Sequence, residues 1–148
     1  MRSWTTFIIF GAILLALIII YGISQITVNS DPVMHTSQLF LDAVKKNDAS
    51  AAEALIDPSM GRISKAGNKI LSVSFKETSS IVNAAFNKKE PISWDYLELS
   101  SLALDLNIKP VVLDNNLAGA PLQFGQKIYL RRIGNDWKIF YIARSPGH

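Results

Sequence analysis

One apolar run near the amino terminus constrains this chain more than any other feature. Over about 17 residues, 7–23 carry no charge and only one hydroxyl, that of Tyr21. At about 1.5 Å of helical rise per residue, 4–26 would extend about 34 Å, enough for a hydrocarbon core of ~30 Å. The sequence therefore predicts a transmembrane anchor and its exit over 1–29, followed by a soluble domain over 30–148.

The ends of the run resemble those of a retained span. Trp4 and Tyr21 lie near its two ends, where amphipathic rings favour the membrane interface. A cleaved signal peptide is the alternative, with Gly22 and Ser24 as the small residues before a cut at Gln25. The apolar run is longer than the usual ~7–15 residues of a signal-peptide core, which favours an anchor in the lipid bilayer.

The charge before the apolar run bears on its orientation in the membrane, and its small residues bear on its contacts with other helices. Arg2 precedes the run, so the positive-inside rule predicts a cytoplasmic amino terminus and an extracytoplasmic domain. Gly11, Ala12 and Ala16 are small, and the four-residue spacing of the two alanines lets a neighbouring helix approach. The sequence therefore suggests either helix packing against other membrane subunits or a plain lipid-facing anchor.

Composition excludes several kinds of chemistry. The chain of 148 residues contains no cysteine, so a disulfide, a thiolate nucleophile and a cysteine-bound zinc are all excluded. The net charge is +3, and the basic residues are scattered rather than interleaved with aromatic ones. This pattern is typical of a solvated surface and predicts no nucleic-acid partner.

The domain is predicted to begin with two helices. Pro32 suits a first helical position, Ser30 or Asp31 could provide the cap, and Val33, Phe40 and Val44 recur with helical spacing. Asn47-Asp48 breaks this helix. A second, shorter helix then follows, with Ser50 and Glu53 spaced as a capping box and Asp57-Pro58 at its end.

The middle of the chain has mixed periodicity. The alternation of Leu71, Val73 and Phe75 predicts a strand over about 70–75. A helix is expected from about Thr78 to Lys89. One continuous helix through both segments also fits the spacing.

From Pro91 onward the pattern favours an antiparallel sheet. Three leucines and an isoleucine alternate with Ala103, Asp105 and Asn107 over 102–108, predicting a strand with one buried face. Residues 94–99 suggest a preceding strand or its entry. A further strand over 111–113 would precede a turn at 114–116. The segment 117–124 is predicted to be a loop that caps the sheet or forms a contact patch.

The last two strands carry the strongest signal. Strands over 126–133 and 136–144 flank Gly134-Asn135, a hairpin turn sequence. Alternation places Trp137, Ile139 and Tyr141 on one face of the last strand, and Phe140 and Ile142 on the other. The predicted fold class is therefore α+β, with the helices packed on a curved antiparallel sheet.

Two parts of the chain resemble known families. The segments TSQLFLDAVKKNDASAAEALIDPSM (36–60) and GQKIYLRRIGNDWKIFYI (125–142) resemble the opening helices and closing hairpin of the nuclear-transport-factor-two-like superfamily. This superfamily includes the SnoaL-like and ketosteroid-isomerase-like domains, and the resemblance implies a cone-like fold. A more limited resemblance links the span and the segment GAPLQFGQKIYL (119–130) to single-pass cytochrome-oxidase assembly factors.

No catalytic or cofactor site is predicted. Enzymes of the cone superfamily place an acid, a histidine or a tyrosine inside the cone, and the two histidines here, His35 and His148, lack metal-ligand spacing. The sequence has no nucleophile elbow and no phosphate-binding loop. We therefore expect a protein that is not an enzyme and that holds no metal or cofactor.

Two functional hypotheses follow. The first is a membrane-anchored accessory or assembly subunit that contacts other subunits of a membrane complex. The second is a membrane-tethered module that binds a small apolar ligand in the cone. The residues expected to line the pocket or interface combine aromatic rings with aliphatic side chains from the predicted sheet: Trp94, Tyr96, Leu104, Phe124, Phe140 and Ile142.

Overall fold

A computed structural model describes residues 8–15, 31–78 and 90–145. The chain divides into two units, with the boundary between Asp31 and Pro32. In the first unit, 8–15 form an α-helix whose side chains are exposed. Within the described ranges, no helix has both the length and the apolar character needed to cross a membrane.

The first helix of the second unit, α1, spans Pro32–Lys45 and begins at the predicted proline. Val33, Phe40 and Val44 are all buried, as their spacing predicts. Asn47 follows the end of the helix with a φ of +53°. Its N–H donates a hydrogen bond to the Val44 carbonyl, and the Asp48 N–H donates one to the Ala43 carbonyl, both at 2.9 Å. This is a Schellman motif with asparagine in the left-handed position.

The second helix, α2, spans Ala49–Glu53, and its cap differs from the predicted one. The Asp48 carboxylate accepts a hydrogen bond from the Ala51 N–H at 3.2 Å, so Asp48 is the N-cap. The predicted box of Ser50 and Glu53 is wrong because the helix begins before Ser50. Glu53 instead pairs with Lys65 at 3.0 Å.

A three-stranded antiparallel sheet follows in the order β1-β2-β3, where β1 is Gly61–Ala66, β2 is Lys69–Phe75 and β3 is Ile92–Asp95. The predicted strand over 70–75 is confirmed, whereas its partner β1 was not predicted. Since 79–89 lie outside the described residues, the helix expected up to Lys89 stays a prediction.

The strand or strand entry expected over 94–99 is confirmed only at 94–95, the end of β3, because helix α3, Tyr96–Ser100, forms the rest. Asp95 caps it by accepting the Glu98 N–H at 2.8 Å, and the Glu98 carboxylate accepts the Asp95 N–H at 3.4 Å. This capping box lies in the sequence as Asp-x-x-Glu, and its local hydrogen bonds outweigh the strand-like alternation of the apolar residues.

The second sheet has four antiparallel strands in the order β4-β5-β6-β7. They are β4 (Val111–Asp114), β5 (Leu117–Pro121), β6 (Lys127–Ile133) and β7 (Asp136–Ala143). The predicted closing hairpin is confirmed, and Gly134 in its turn has a φ of +63°. The class is therefore α+β with two antiparallel sheets, rather than one continuous meander.

The strand expected over 102–108 is wrong. Leu104 forms an isolated bridge with Leu122, and a turn follows in which the Asp105 carboxylate accepts the Asn107 N–H at 3.0 Å. Such a turn competes with the ladder of a sheet. As a result Leu104 is buried, whereas Leu106 and Ile108 are exposed.

The loop expected over 117–124 is also wrong in its larger part. Residues 117–121 form β5, an interior strand of the second sheet in which every residue is buried. Ala118 and Ala120 lie opposite Leu130 and Ile128 of β6. Both alanines are fully buried, and α1 contacts β5.

A β-bulge changes the predicted faces of β7. Tyr129 pairs with Tyr141, but the next residue of β6, Leu130, pairs with Ile139, so Phe140 is the extra residue. Consecutive residues of a strand face opposite sides, and cross-strand partners share a side. Ile139 and Tyr141 therefore lie on opposite faces, and the predicted single face is wrong.

Trp94 links the two sheets. It lies in β3, and its indole N–H donates to the Ile142 carbonyl of β7 at 3.0 Å. The guanidinium of Arg144 lies 4.3 Å from the ring centroid. The core around this link combines α1, α3 and strands of both sheets, and its largest fully buried side chains are Phe40, Leu41, Val44, Val73, Trp94, Leu99, Leu122, Ile128, Leu130, Ile139, Phe140 and Ile142.

Candidate functional site

The most buried charge in the described residues is Asp57, just after α2. Its carboxylate is 2% exposed and forms an ion pair with the guanidinium of Arg131 in β6. It also accepts hydrogen bonds from the Ser59 N–H at 3.0 Å and the Ser59 hydroxyl at 2.7 Å. The carboxylate is therefore fully engaged in holding the loop to the sheet, and this ion pair was not predicted from the sequence.

Two open grooves meet at Gly61, next to this loop. One, of about 360 Å³, lies between α2 and β1. The other, of about 470 Å³, lies along β1 and β2. Both are lined by Pro58, Gly61 and Arg62, and the larger one also by Met60, Ser74, Phe75, Lys76, Glu77 and Pro91.

Gly61 is required where the grooves meet because there is no space for a side chain. A Cβ atom there would lie 2.5 Å from Cγ2 of Ile56 and 2.9 Å from the ring of Phe75. The chain thus passes close to two core side chains, and Pro58 and Arg62 on either side of Gly61 are exposed.

A second surface feature is the turn Gln123–Gly125 after β5. Phe124 is 87% exposed and has a φ of +63°, a left-handed conformation that bulky residues rarely adopt. The Ser145 hydroxyl donates to its carbonyl, and the flanking Gln123 N–H donates to the Ala103 carbonyl at 2.9 Å. The turn is therefore held by its backbone, while its aromatic ring faces solvent.

A third feature is the edge of the second sheet. Four apolar residues before and within β4 are exposed, and we call them the apolar edge: Leu106, Ile108, Val111 and Val112. Val112 is the most exposed of them, at 73%. β4 pairs with β5 on one side, and no described strand pairs with its other side.

The structure separates the residues expected to form one pocket or interface. Trp94, Leu104, Phe140 and Ile142 are buried in the core. Tyr96 is half-buried at the start of α3. Phe124 projects into solvent instead, so these residues do not enclose a common cavity.

The predicted anchor residues are only partly described. Gly11 and Ala12 lie in the helix over 8–15, where a Cβ atom on Gly11 would meet nothing within 4 Å. Trp4, Ala16 and Tyr21 lie outside the described residues. The predictions of a span, of its packing face and of its interfacial rings therefore stay predictions.

Local environment shifts the pKa of three groups. Hydrogen bonds from the Asn68 side chain and the Ala51 N–H lower the pKa of Asp48. Burial raises the pKa of both Tyr129 and Tyr141. The two tyrosines face each other across the last hairpin, and the Tyr141 hydroxyl donates to the Glu90 carbonyl at 2.7 Å.

None of these groups forms a metal site or an acid–base pair. No group of three or more His, Asp or Glu residues within 8–15, 31–78 and 90–145 could hold a metal ion. Asp48 caps a helix, and Asp57 binds a guanidinium and a serine. The surface features described above, all within the described residues, are two grooves, an aromatic turn and the apolar edge.

Local sequence patterns indicate these features only in part. Gly125 is a general turn signal, but it does not by itself separate Phe124 from the buried aromatic residues. The ion pair joins residues 74 positions apart, and no local pattern indicates it.

Comparison of the chain with protein-family models, with curated proteins and with solved structures finds no match.

Proposed function

We propose that this protein is a membrane-anchored accessory or assembly subunit that acts by contacting other subunits of a membrane complex. The observation that carries this proposal is Phe124, an aromatic side chain that is 87% exposed in a strained turn. Strained backbone at the surface is often kept where it serves binding, and aromatic residues are enriched among the residues that dominate interface energy.

The apolar run over 7–23 provides the second support, because a retained span would hold the domain beside other membrane proteins. Gly11, Ala12 and Ala16 are the residues proposed to pack against a neighbouring span. In this arrangement the amino terminus is cytoplasmic, and the domain lies on the extracytoplasmic side.

We also place the domain in the cone-like, nuclear-transport-factor-two-like superfamily as part of this proposal. Its support is the element order, in which a helical pair comes first and a long hairpin comes last. The grooves at Gly61 lie outside the set of residues expected to line such a cone, so they do not add to this part of the proposal.

The test is purification of the full chain from its native membrane in mild detergent, with wild type and Phe124→Ser in parallel. We expect wild type to recover one or more membrane proteins in stoichiometric amounts, and the variant to recover much less. Leu71→Ser is the matched control, because Leu71 is 53% exposed on the other sheet. Wild-type protein that purifies alone, or equal recovery with Phe124→Ser, would overturn the proposal.

Orientation has its own test, made simple by the absence of native cysteine. A single cysteine at exposed Leu71 is expected to react with a membrane-impermeant maleimide in intact cells. Reaction only after the cells are opened would place the domain in the cytoplasm instead.

A small apolar ligand is the second candidate, favoured by the larger groove at Gly61. Its volume of about 470 Å³ is in the range of ligand sites, and Met60, Phe75 and Pro91 contribute apolar surface. If this function holds, a small apolar molecule should be detected by mass spectrometry of the purified protein. Its loss in Ser74→Trp, which narrows the groove, would separate this function from subunit contact.

A further inference from the structure

The two edge strands of the four-stranded sheet, β4 and β7, differ in whether other parts of the chain form hydrogen bonds with their outer edge. At β7, the Asp57 N–H donates to the Ile139 carbonyl and the Ile139 N–H donates to the Leu55 carbonyl, both at 2.8 Å. The Trp94 indole covers the Ile142 carbonyl on the same strand. The β7 edge is therefore capped by hydrogen-bonding groups of the chain itself.

The β4 edge lacks such a cover among the described residues. Its Val111 and Val112 are 43% and 73% exposed, although consecutive residues face opposite sides of a sheet. An edge strand with open N–H and C=O groups and apolar side chains on both faces is a template for another strand. Lys109 and Pro110 protect only the start of this edge.

The charges at the two ends of β4 favour β4 of a second copy of this chain as the strand that pairs with it. Lys109 precedes the strand and Asp114 ends it, and both are exposed. In an antiparallel pair of copies in which Val111 faces Val111, or Val112 faces Val112, Lys109 of one copy faces residue 113 or 115 of the other. Each Lys109 therefore lies next to the Asp114 of the other copy. Parallel pairing would instead place like charges together.

We infer that β4 is a self-association edge, at which two copies of this chain pair antiparallel and join their sheets. A two-fold axis perpendicular to the sheets passes between the two copies of Val111 or of Val112, so the contact is closed and cannot extend into a filament. β4 is short and has an irregular register after Val112, so the dimer is expected to be weak. This inference does not rest on the proposed function.

The cysteine-free chain allows a direct test. Antiparallel partners have Cα atoms about 4.5–5.5 Å apart, a separation that a disulfide can bridge. Full-length protein in mild detergent would carry a single cysteine, Val111→Cys or Val112→Cys, with Leu71→Cys as the control for random collision. Covalent dimer formed under mild oxidant is measured on a non-reducing gel.

Only one of Val111 and Val112 lies at the two-fold axis and faces the same residue of the second copy. The variant with cysteine at that position is expected to cross-link at least about tenfold faster than the other β4 variant and than Leu71→Cys. Equal rates at 111 and 112, or rates no faster than the control, would overturn the inference. As a second measurement, sedimentation should show the mass of two chains for wild type and of one chain for Val112→Lys. A wild-type monomer at all accessible concentrations would also overturn it.

Discussion

The carboxylate of Asp57 and the guanidinium of Arg131 form an ion pair that ties the loop after α2 to strand β6. The Asp57 side chain is 2% exposed and the Arg131 side chain is 29% exposed. Loss of the pair therefore leaves Asp57 without solvent, whereas Arg131 still reaches water. A charge left buried without its partner is costly, whereas a charge that reaches water is less so.

Arg131→Gln is therefore expected to lower the free energy of unfolding more than Asp57→Asn. The first variant leaves the buried carboxylate with only the two Ser59 donors, at a cost on the order of 3–5 kcal/mol. Urea unfolding of both variants and of the double variant provides the measurement. The double variant should recover part of the loss, and equal losses in the two single variants would contradict the asymmetry.

Trp94→Phe is expected to destabilise the junction between the two sheets. The change removes the indole N–H that bonds the Ile142 carbonyl and leaves that acceptor buried, at a cost of about 1–3 kcal/mol. Trp137→Phe is the control, since Trp137 is only half-buried. Urea unfolding should show the larger loss at Trp94, and a larger loss at Trp137 would contradict this account.

Gly61→Ala and Gly67→Ala separate crowding from backbone strain. Gly67 has a φ of +62° with nothing near its Cβ position, so alanine costs about 1–2 kcal/mol through its backbone alone. Gly61 has no positive φ, but a Cβ atom would lie 2.5 Å from Ile56, so alanine forces core side chains to move. Overpacking typically costs about 1–3 kcal/mol. Thermal unfolding should show a loss for both, and no loss for Gly61→Ala would refute the close contact.

Stability should decrease at high pH through the two facing tyrosines. Burial raises the pKa of Tyr129 and Tyr141 above 10.0, so the folded state holds their protons more tightly than the unfolded state. This contribution is complete below the unfolded-state pKa of about 10 and is lost as pH rises through the folded-state value. Unfolding measured from pH 9 upward is the check. Tyr129→Phe should weaken the pH dependence, and an unchanged slope would count against it.

Phe124→Gly is expected to stabilise the domain or leave it unchanged. A left-handed conformation costs a bulky residue roughly 1–2 kcal/mol, and the exposed ring contributes little packing. Glycine removes this strain, although its flexible unfolded state offsets part of the gain. The melting temperature of Phe124→Gly should therefore equal or exceed that of wild type. A clear decrease would show that the ring packs on the domain.

Local patterns accounted for much of the fold but little of the site. The end of α1 at Asn47 and the hairpin turn at Gly134 follow from backbone conformations that few residues adopt, so they could be read from the sequence. The box that starts α3 at Asp95 was also present in the sequence, but the strand-like alternation of its neighbours led to the wrong element.

The candidate surfaces depend on contacts that no local pattern contains. Leu104 and Leu106 have the same place in the alternation, yet only Leu104 is buried, because it bridges to Leu122 before the chain turns away. The bulge at Phe140 likewise reverses the faces of the residues that follow it. Such outcomes depend on the register between strands.

The sequence by itself determined several features whose causes lie within a few residues, namely the two ends of α1, the turn of the closing hairpin and the buried stripe of α1. It also predicts the apolar span over 7–23. The tertiary structure alone decided the pairing of Asp57 with Arg131, the exposure of Phe124 and the open edge at β4. The physical reason is range: capping and turn energies are local, whereas burial and pairing depend on which distant segments pack together.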